Sequence, residues 1–290
     1  MKNYVYLLCL VLLMGCKKEK PAPEGDSSNP ISPLETSQAF VLTDVKYGSD
    51  NQQVMDLYLP ANRTSSTKVF ILIHGGGWSA GSKADYTFMF DALKTVYPNC
   101  AIANIGYRLG TAQSPGFPKQ IDDIRLALNH IQKPLYTLSK DYFIFGSSAG
   151  GHLAMLYAYG YDHNHQVKGV CNTVGPADFT DPSYVNNPVY DYALLSLVGN
   201  VTYAQNPQLY KEVSPALRVT ALSPKTISFY GDQDPLVPAT QITLLHNKLT
   251  QAGVYNESTL YAGEGHGNWS QANATDCMNK IVQFIQQHFL

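Results

Sequence analysis

Asp141-Tyr142-Phe143-Ile144-Phe145-Gly146-Ser147-Ser148-Ala149-Gly150-Gly151-His152-Leu153-Ala154 is the stretch that decides how this chain reads. Tyr142 to Phe145 is an apolar, aromatic-rich run of strand type. It meets Gly146-x-Ser148-x-Gly150 and leaves through residues of helical character, so the segment reads as strand, sharp turn, helix. A turn that tight presses the incoming and outgoing backbones together, which is why Gly146 and Gly150 carry no side chain. The Ser148 hydroxyl is left projecting at the carboxyl edge of a sheet, where a substrate can reach it. The five-residue pattern alone also arises by chance in ordinary turns, so its weight comes from its surroundings.

Upstream, the β-branched run Val69-Phe70-Ile71-Leu72-Ile73 leads into His74-Gly75-Gly76-Gly77-Trp78. Consecutive glycines let backbone N–H groups converge on one point. The N–H groups of Gly76, Gly77 and Ala149 are thus candidates for holding the oxyanion of a tetrahedral intermediate. Without the serine turn downstream, the same glycines would read as a flexible loop. Downstream, the strand Thr226 to Tyr230 ends in Gly231-Asp232-Gln233-Asp234-Pro235, and the strand Ser258 to Tyr261 ends in Ala262-Gly263-Glu264-Gly265-His266-Gly267-Asn268-Trp269. Glycines on both sides of His266 allow its loop to fold back over the sheet edge, which makes it the best general base among eight histidines. His74 reads as a loop-organising group and His152 as a packed helix residue. His163 and His165 form a His-x-His with no accompanying ligand cluster, so they read as a solvated loop. His130, His246 and His288 read as ordinary helix positions.

The glycine loop, the serine turn and the order serine, acid, histidine resemble the α/β-hydrolase superfamily, in particular its carboxylesterase and hormone-sensitive-lipase-like branch, over roughly residues 40 to 290. The resemblance implies an α/β fold: a mostly parallel eight-stranded sheet with helices on both faces and a short cap insertion. It also implies a catalytic triad of Ser148, His266 and Asp234, because the family's acid lies three residues after the glycine. Asp232 is the competitor for that role and is read as a cap on the loop backbone. With the oxyanion donors named above, the implied activity is that of a serine carboxylic-ester hydrolase working through an acyl-enzyme and needing no metal or organic cofactor. The resemblance extends to envelope and secreted members that remove acetyl or feruloyl groups from polysaccharides. An arylformamidase similar to the kynurenine-pathway enzymes is the alternative enzyme reading. A catalytically inactive binding module on the same fold is the non-enzyme reading, disfavoured because all three triad positions are filled. Trp78 and Trp269 flank the two catalytic loops and are candidate substrate-contact residues.

The rest of the sequence sets the frame. A chain of 290 residues with 44% hydrophobic content can bury one full catalytic domain. Charged residues make up 14% and the net charge is −2, which leaves no basic stripe for nucleic acid. Met1 to Cys16 has a positive start, an apolar core and a small residue before cysteine, and reads as a lipoprotein signal peptide over 1–15, with Cys16 as the lipidated residue. Residues 16–39 are Lys- and Pro-rich and read as a disordered tether, so the expected partners are an ester substrate and, through the anchor, a membrane of the cell envelope. Residues 40–290 are the catalytic domain. Cys100, Cys171 and Cys277 allow at most one disulfide, and no pairing is indicated by spacing, so all three read as buried or free thiols. Strands near Val69, Cys100, Tyr142, Val167, Thr226 and Asn256 alternate with helices near Ala84, Lys119, Gly151, Pro238 and Ala272, after an antiparallel pair over Val41 to Tyr47 and Gln53 to Leu59. Ile121, Ile124, Leu128 and Ile131 are a core-facing stripe, while Arg108, Asp122 and Asp123 are candidates for structural ion pairs. Residues 176–224 depart from the alternation and read as an insertion over the substrate pocket carrying Tyr184, Tyr190, Tyr192, Tyr203 and Tyr210.

Overall fold

The computed structural model describes residues 33–185 and 187–290. Along the chain it runs β1 (Phe40–Lys46), β2 (Val54–Leu59), β3 (Val69–Ile73), α1 (Thr87–Val96), β4 (Ala101–Ile105), α2 (Lys119–Ile131), β5 (Tyr142–Ser147), α3 (Ala149–Gly160), β6 (Val167–Thr173), α4 (Pro188–Val198), α5 (Pro207–Glu212), β7 (Lys225–Gly231), α6 (Thr240–Gln251), β8 (Asn256–Tyr261) and α7 (Gln271–His288). The strands make one eight-stranded sheet in the order β1-β2-β4-β3-β5-β6-β7-β8. β2 pairs antiparallel with β1 and with β4. All the later pairings are parallel. This is the α/β-hydrolase fold. The stretch read as a signal peptide, Cys16 and most of the stretch read as a tether lie outside the described residues.

β3 and β4 are buried at every position, as strands covered on both faces must be. Their alternation sorts side chains between two cores. Val69, Ile71 and Ile73 pack in one core with Ile121, Ile124 and Leu128 of α2 and Leu153 of α3. Phe70 and Leu72 point the other way, into a core shared with Phe90 and Leu93 of α1 and Ile281 and Phe284 of α7. Each such side chain contributes about 1.5–3 kcal/mol by leaving water. Helices therefore cover both faces, and the loops at the carboxyl ends of the strands stay free for chemistry.

Chain order places those loops. β3 is flanked by β4 on one side and β5 on the other, so the sheet changes its direction of growth there. A crevice forms outside the strand ends at such a switch point. Ile73 is in register with Gly146, which sets the glycine loop and the serine turn side by side.

The helix expected near Ala84 begins as a 3-10 turn at Lys83–Tyr86, capped by the Ser82 side chain, before α1 starts at Thr87. The insertion is helical: α4 and α5 are followed by a 3-10 turn at Pro215–Arg218. The carboxyl end of α4 docks on the chain ahead of α2, where Ser196 and Leu197 carbonyls accept the amides of Gly116 and Phe117 at 2.7 and 2.9 Å. Arg108 and Asp123 form the expected ion pair at 2.6 Å, with Asp123 fully buried and also accepting from Gln53. Asp122 pairs instead with Arg125 on the surface of α2. Cys100, Cys171 and Cys277 are all free and buried.

Candidate active site

The serine turn is built by exclusion of side chains. A Cβ on Gly146 would lie 2.2 Å from the Gly150 carbonyl oxygen, and one on Gly150 would lie 2.1 Å from that of Ile73. No side chain fits at those distances, so β5, α3 and the end of β3 meet backbone to backbone. Ser148 itself sits at φ 55°, ψ −125°, a conformation that costs a non-glycine residue about 1–3 kcal/mol. Its backbone is held on both sides. The Ser148 amide donates to the Thr173 carbonyl at 2.8 Å, and its carbonyl accepts from the His152 amide at 3.0 Å.

The structure brings Ser148, His266 and Asp234 into one line of hydrogen bonds. His266 Nε2 lies 2.8 Å from Ser148 Oγ, and His266 Nδ1 lies 2.7 Å from Asp234 Oδ2. An ionised carboxylate can only accept, so Nδ1 carries the proton and Nε2 offers its lone pair to the serine hydroxyl. The other Asp234 oxygen accepts the amides of Leu236 and Val237 at 2.8 and 3.0 Å, and the side chain is fully buried. Asp232 points elsewhere: its carboxylate accepts the Gly263 amide at 2.7 Å, bracing the loop that carries His266.

The glycine loop lies directly against the serine turn. A Cβ on Gly75 would sit 2.9 Å from the Ser147 carbonyl and 3.4 Å from Ser148 Cβ. Gly76 and Gly77 take φ values of 112° and 55°, which glycine adopts at little cost, and both are exposed. Ala149 opens α3, where an N–H has no carbonyl of its own helix to meet. Three candidate donors therefore flank the serine.

The remaining histidines have other work. His74 stacks on Tyr107 at 4.1 Å, and burial lowers its pKa. His152 is fully buried, accepts from Trp78 Nε1 at 3.1 Å and donates to the Val213 carbonyl at 2.7 Å; burial pulls its pKa down to about 4, so it stays neutral. His163 and His165 are exposed on the turn before β6. Among the described residues no group of three or more His, Cys, Asp or Glu side chains is placed to hold a metal ion.

Trp78 departs from expectation. It is 6% exposed and wedged against His152 and Phe179, so it supports the glycine loop from the core and presents little surface to a ligand. Trp269 is half-buried; it packs on Tyr261 and donates to the Gly265 carbonyl at 2.9 Å, which pins the His266 loop. A residue the sequence reading passed over, Glu264, does similar work. Its carboxylate accepts the Ser270 amide at 2.9 Å and Asn273 Nδ2 at 2.6 Å, tying the loop to the start of α7. Hydrogen bonds, those of Ser270 first, hold its pKa below the usual carboxylate value. The capping position of Ser270, six residues on, was the available signal.

Several known proteins are similar to this chain in sequence or in fold. The chain is 25% identical to Esterase LipC of Mycobacterium tuberculosis over 86% of its own length and 65% of that protein's. It is 27% identical to the kynurenine formamidase of Danio rerio over 51% of each chain. The chain thus spans about half to two thirds of the length of the curated relatives it matches. A solved structure titled as a truncated carbohydrate esterase from gut microbiota superposes with a TM-score of 0.68 at 23% identity, over 86% of this chain and 98% of that one. The family model described as BD-FAE matches residues 55–249, about two thirds of the sequence, from β2 to near the end of α6. That span includes the glycine loop, the serine turn and the acid loop, and the chain belongs to the BD-FAE family.

Proposed function

We propose that this protein is a serine carboxylic-ester hydrolase. The observation that carries the reading is His266 bonded at once to Ser148 and Asp234. Ser148 Oγ attacks the ester carbonyl carbon as His266 Nε2 takes its proton, giving a tetrahedral oxyanion that the N–H groups of Gly76, Gly77 and Ala149 stabilise. His266 returns the proton to the leaving alcohol oxygen as the C–O bond breaks, and the acyl group remains on Ser148. Water, deprotonated by the same nitrogen, attacks the acyl-enzyme and releases the acid. Asp234 holds the tautomer and stabilises the imidazolium throughout. The esterase names among the relatives and structural neighbours support the reaction class. One structural neighbour is a carbohydrate esterase, which supports acetyl or feruloyl esters of polysaccharides as the substrate class. Hydrolysis of p-nitrophenyl acetate, abolished by a serine-directed phosphonate that adds its mass to Ser148, is the test.

The formamidase relatives favour one competing substrate, an aryl formamide, which the same nucleophile and oxyanion donors would cleave. Parallel rates on acetylated xylan, a feruloyl ester and N-formylkynurenine separate the two. The lipobox-like sequence ending at Cys16 supports tethering to an envelope membrane, and Cys16→Ser should release the protein from the membrane fraction.

A further inference from the structure

The amino ends of the parallel strands form a rim at the end of the sheet opposite Ser148. β5 runs six residues, about 20 Å, from Tyr142 on this rim to Ser147 beside the nucleophile. Backbone bonds stitch the rim into one continuous edge: the amide of Leu34 donates to Leu135, Ser139 to Thr67, Val69 to Asp141, Tyr142 to Gln166 and Thr226 to Tyr255, and Gly169 is in register with Lys225. Lys133, Lys140, Lys168 and Lys225 stand along it, all exposed. The carboxylates among them have local work: Asp141 pairs with Lys168 at 3.7 Å, Glu257 accepts the Tyr255 hydroxyl at 2.8 Å and Glu35 accepts the Ser37 amide at 3.0 Å. Two apolar side chains protrude between the lysines, Leu222 at 68% exposure and Tyr255 at 47%. Leu222 borders a hollow with His163 and His165, the turn just before β6.

The chain enters the domain on this same rim. Arg63 is 3% exposed and gives its guanidinium to main-chain carbonyls, those of Leu34 at 2.8 Å, Tyr136 at 2.9 Å and Gln38 at 3.0 Å. The Asn62 amide adds a bond to the Thr36 carbonyl at 2.7 Å, so the entering segment is fastened at the strand starts. Cys16 lies eighteen positions before Leu34, enough chain for either end of the sheet to meet a membrane, so an anchor alone sets no orientation. The rim supplies one. Lysines set around a protruding leucine and a tyrosine match the surface of an anionic bilayer, where ammonium groups meet the headgroups and apolar tips enter the boundary with the acyl chains. We infer that this rim lies on an anionic envelope membrane and holds the catalytic crevice pointing away from it. The inference rests on the anchored reading of Cys16 and adds to it a membrane-facing surface and a direction. Esters then reach Ser148 from the aqueous space and not from within the bilayer.

The experiment reconstitutes the full chain, lipidated at Cys16, in phosphatidylcholine vesicles with and without phosphatidylglycerol. An environment-sensitive maleimide dye is placed on Leu222→Cys or, at the crevice end, on Phe88→Cys, where the native side chain is 68% exposed. Cys100, Cys171 and Cys277 are buried, so the dye takes the introduced thiol. With phosphatidylglycerol present, emission from Leu222→Cys should move to the blue and be quenched by brominated acyl chains, and emission from Phe88→Cys should not. High salt should reverse the shift by screening the lysines. Combining Lys140→Gln, Lys168→Gln and Lys225→Gln should lower the ratio of docked to undocked protein by on the order of a hundredfold, with flotation on the vesicles and the rate on p-nitrophenyl acetate as in wild type. A shift on Phe88→Cys instead, or on neither position in protein that floats, would overturn the orientation. Equal shifts in pure phosphatidylcholine would overturn the role of the lysines. A shift elicited by soluble polygalacturonate and not by vesicles would give the rim to an acidic polysaccharide and overturn the membrane assignment. Protein that fails to float with any vesicle would overturn the anchored reading itself, and the orientation with it.

Discussion

The Asp232 carboxylate holds the Gly263 amide at 2.7 Å, so the loop after β7 is tied to the loop that delivers His266 three residues later. Two aspartates two residues apart thus serve one histidine in different ways: Asp234 touches its ring, and Asp232 sets where its loop begins.

Substitution separates the two. Asp234→Asn places an amide against His266 Nδ1 and favours the wrong tautomer, so kcat/KM should fall by about ten-thousandfold with the fold intact. Asp232→Asn keeps an oxygen that can accept from Gly263, and activity should drop no more than a few-fold. Steady-state rates on p-nitrophenyl acetate, with circular dichroism as the control for folding, decide the matter. A reversed order of effects would assign the acid to Asp232.

Ser148→Ala removes the nucleophile while leaving the strained turn in place. Activity should fall by on the order of a thousandfold or more, with Tm unchanged within a few degrees. Turnover that survives in a preparation free of wild-type enzyme would remove Ser148 from the mechanism.

Gly150→Ala tests the backbone contact between α3 and β3. The new methyl group would stand 2.1 Å from the Ile73 carbonyl oxygen and 2.5 Å from that of His74, and neither can swing aside as a side chain can. The cost should be about 3 kcal/mol or more, read as a lower urea midpoint, together with loss of activity from the displaced glycine loop. Wild-type stability in this variant would mean that the helix can shift without consequence.

Acid should weaken the fold through its buried histidines. His152 has a folded pKa pulled to about 4 by burial, against about 6.5 when unfolded. Between those values the unfolded chain binds a proton that the folded chain does not, so this contribution is complete above about pH 6.5 and is lost as pH falls toward 4. For His152 the full effect is about 3 kcal/mol. His130 acts in the same direction, lowered to about 4 by burial and then by Lys133. Tm should decline from pH 7.5 to 4.5. His152→Gln, which offers one donor and one acceptor and does not titrate, should make that decline shallower; an identical slope would clear His152 of the effect.

Some of this was legible in residue order and some was not, for physical reasons. β3 and β5 read directly because strands covered on both faces are apolar throughout. The acid and histidine loops read because each strand stops at glycine or just before it and the reactive residue follows within a few positions. Trp78 misled because a tryptophan after a glycine loop looks the same whether it faces ligand or core; what decides is His152, 74 positions away. The helix α4 was invisible as a helix because Pro188-Val-Tyr-Asp-Tyr-Ala-Leu-Leu-Ser-Leu-Val198 is apolar nearly all round and shows no one-sided stripe. The tie between Asp181 and the start of α6 depends on Thr240 and Gln241, which lie beyond the next strand.

The three free cysteines of the domain have a chemical consequence. Burial raises the Cys100 thiol to about 11 and the Cys277 thiol to about 12, and it raises Cys171 as well. Only the thiolate attacks electrophiles, peroxides and disulfides, so at neutral pH the folded domain carries sulfur with almost no sulfur reactivity. It can stand in an oxidising medium without shuffling bonds, and an acylating reagent that enters the crevice meets a hydroxyl with no thiol rival. Maleimide should therefore find these three residues only after denaturation, which turns them into a built-in gauge of how much of the protein is unfolded.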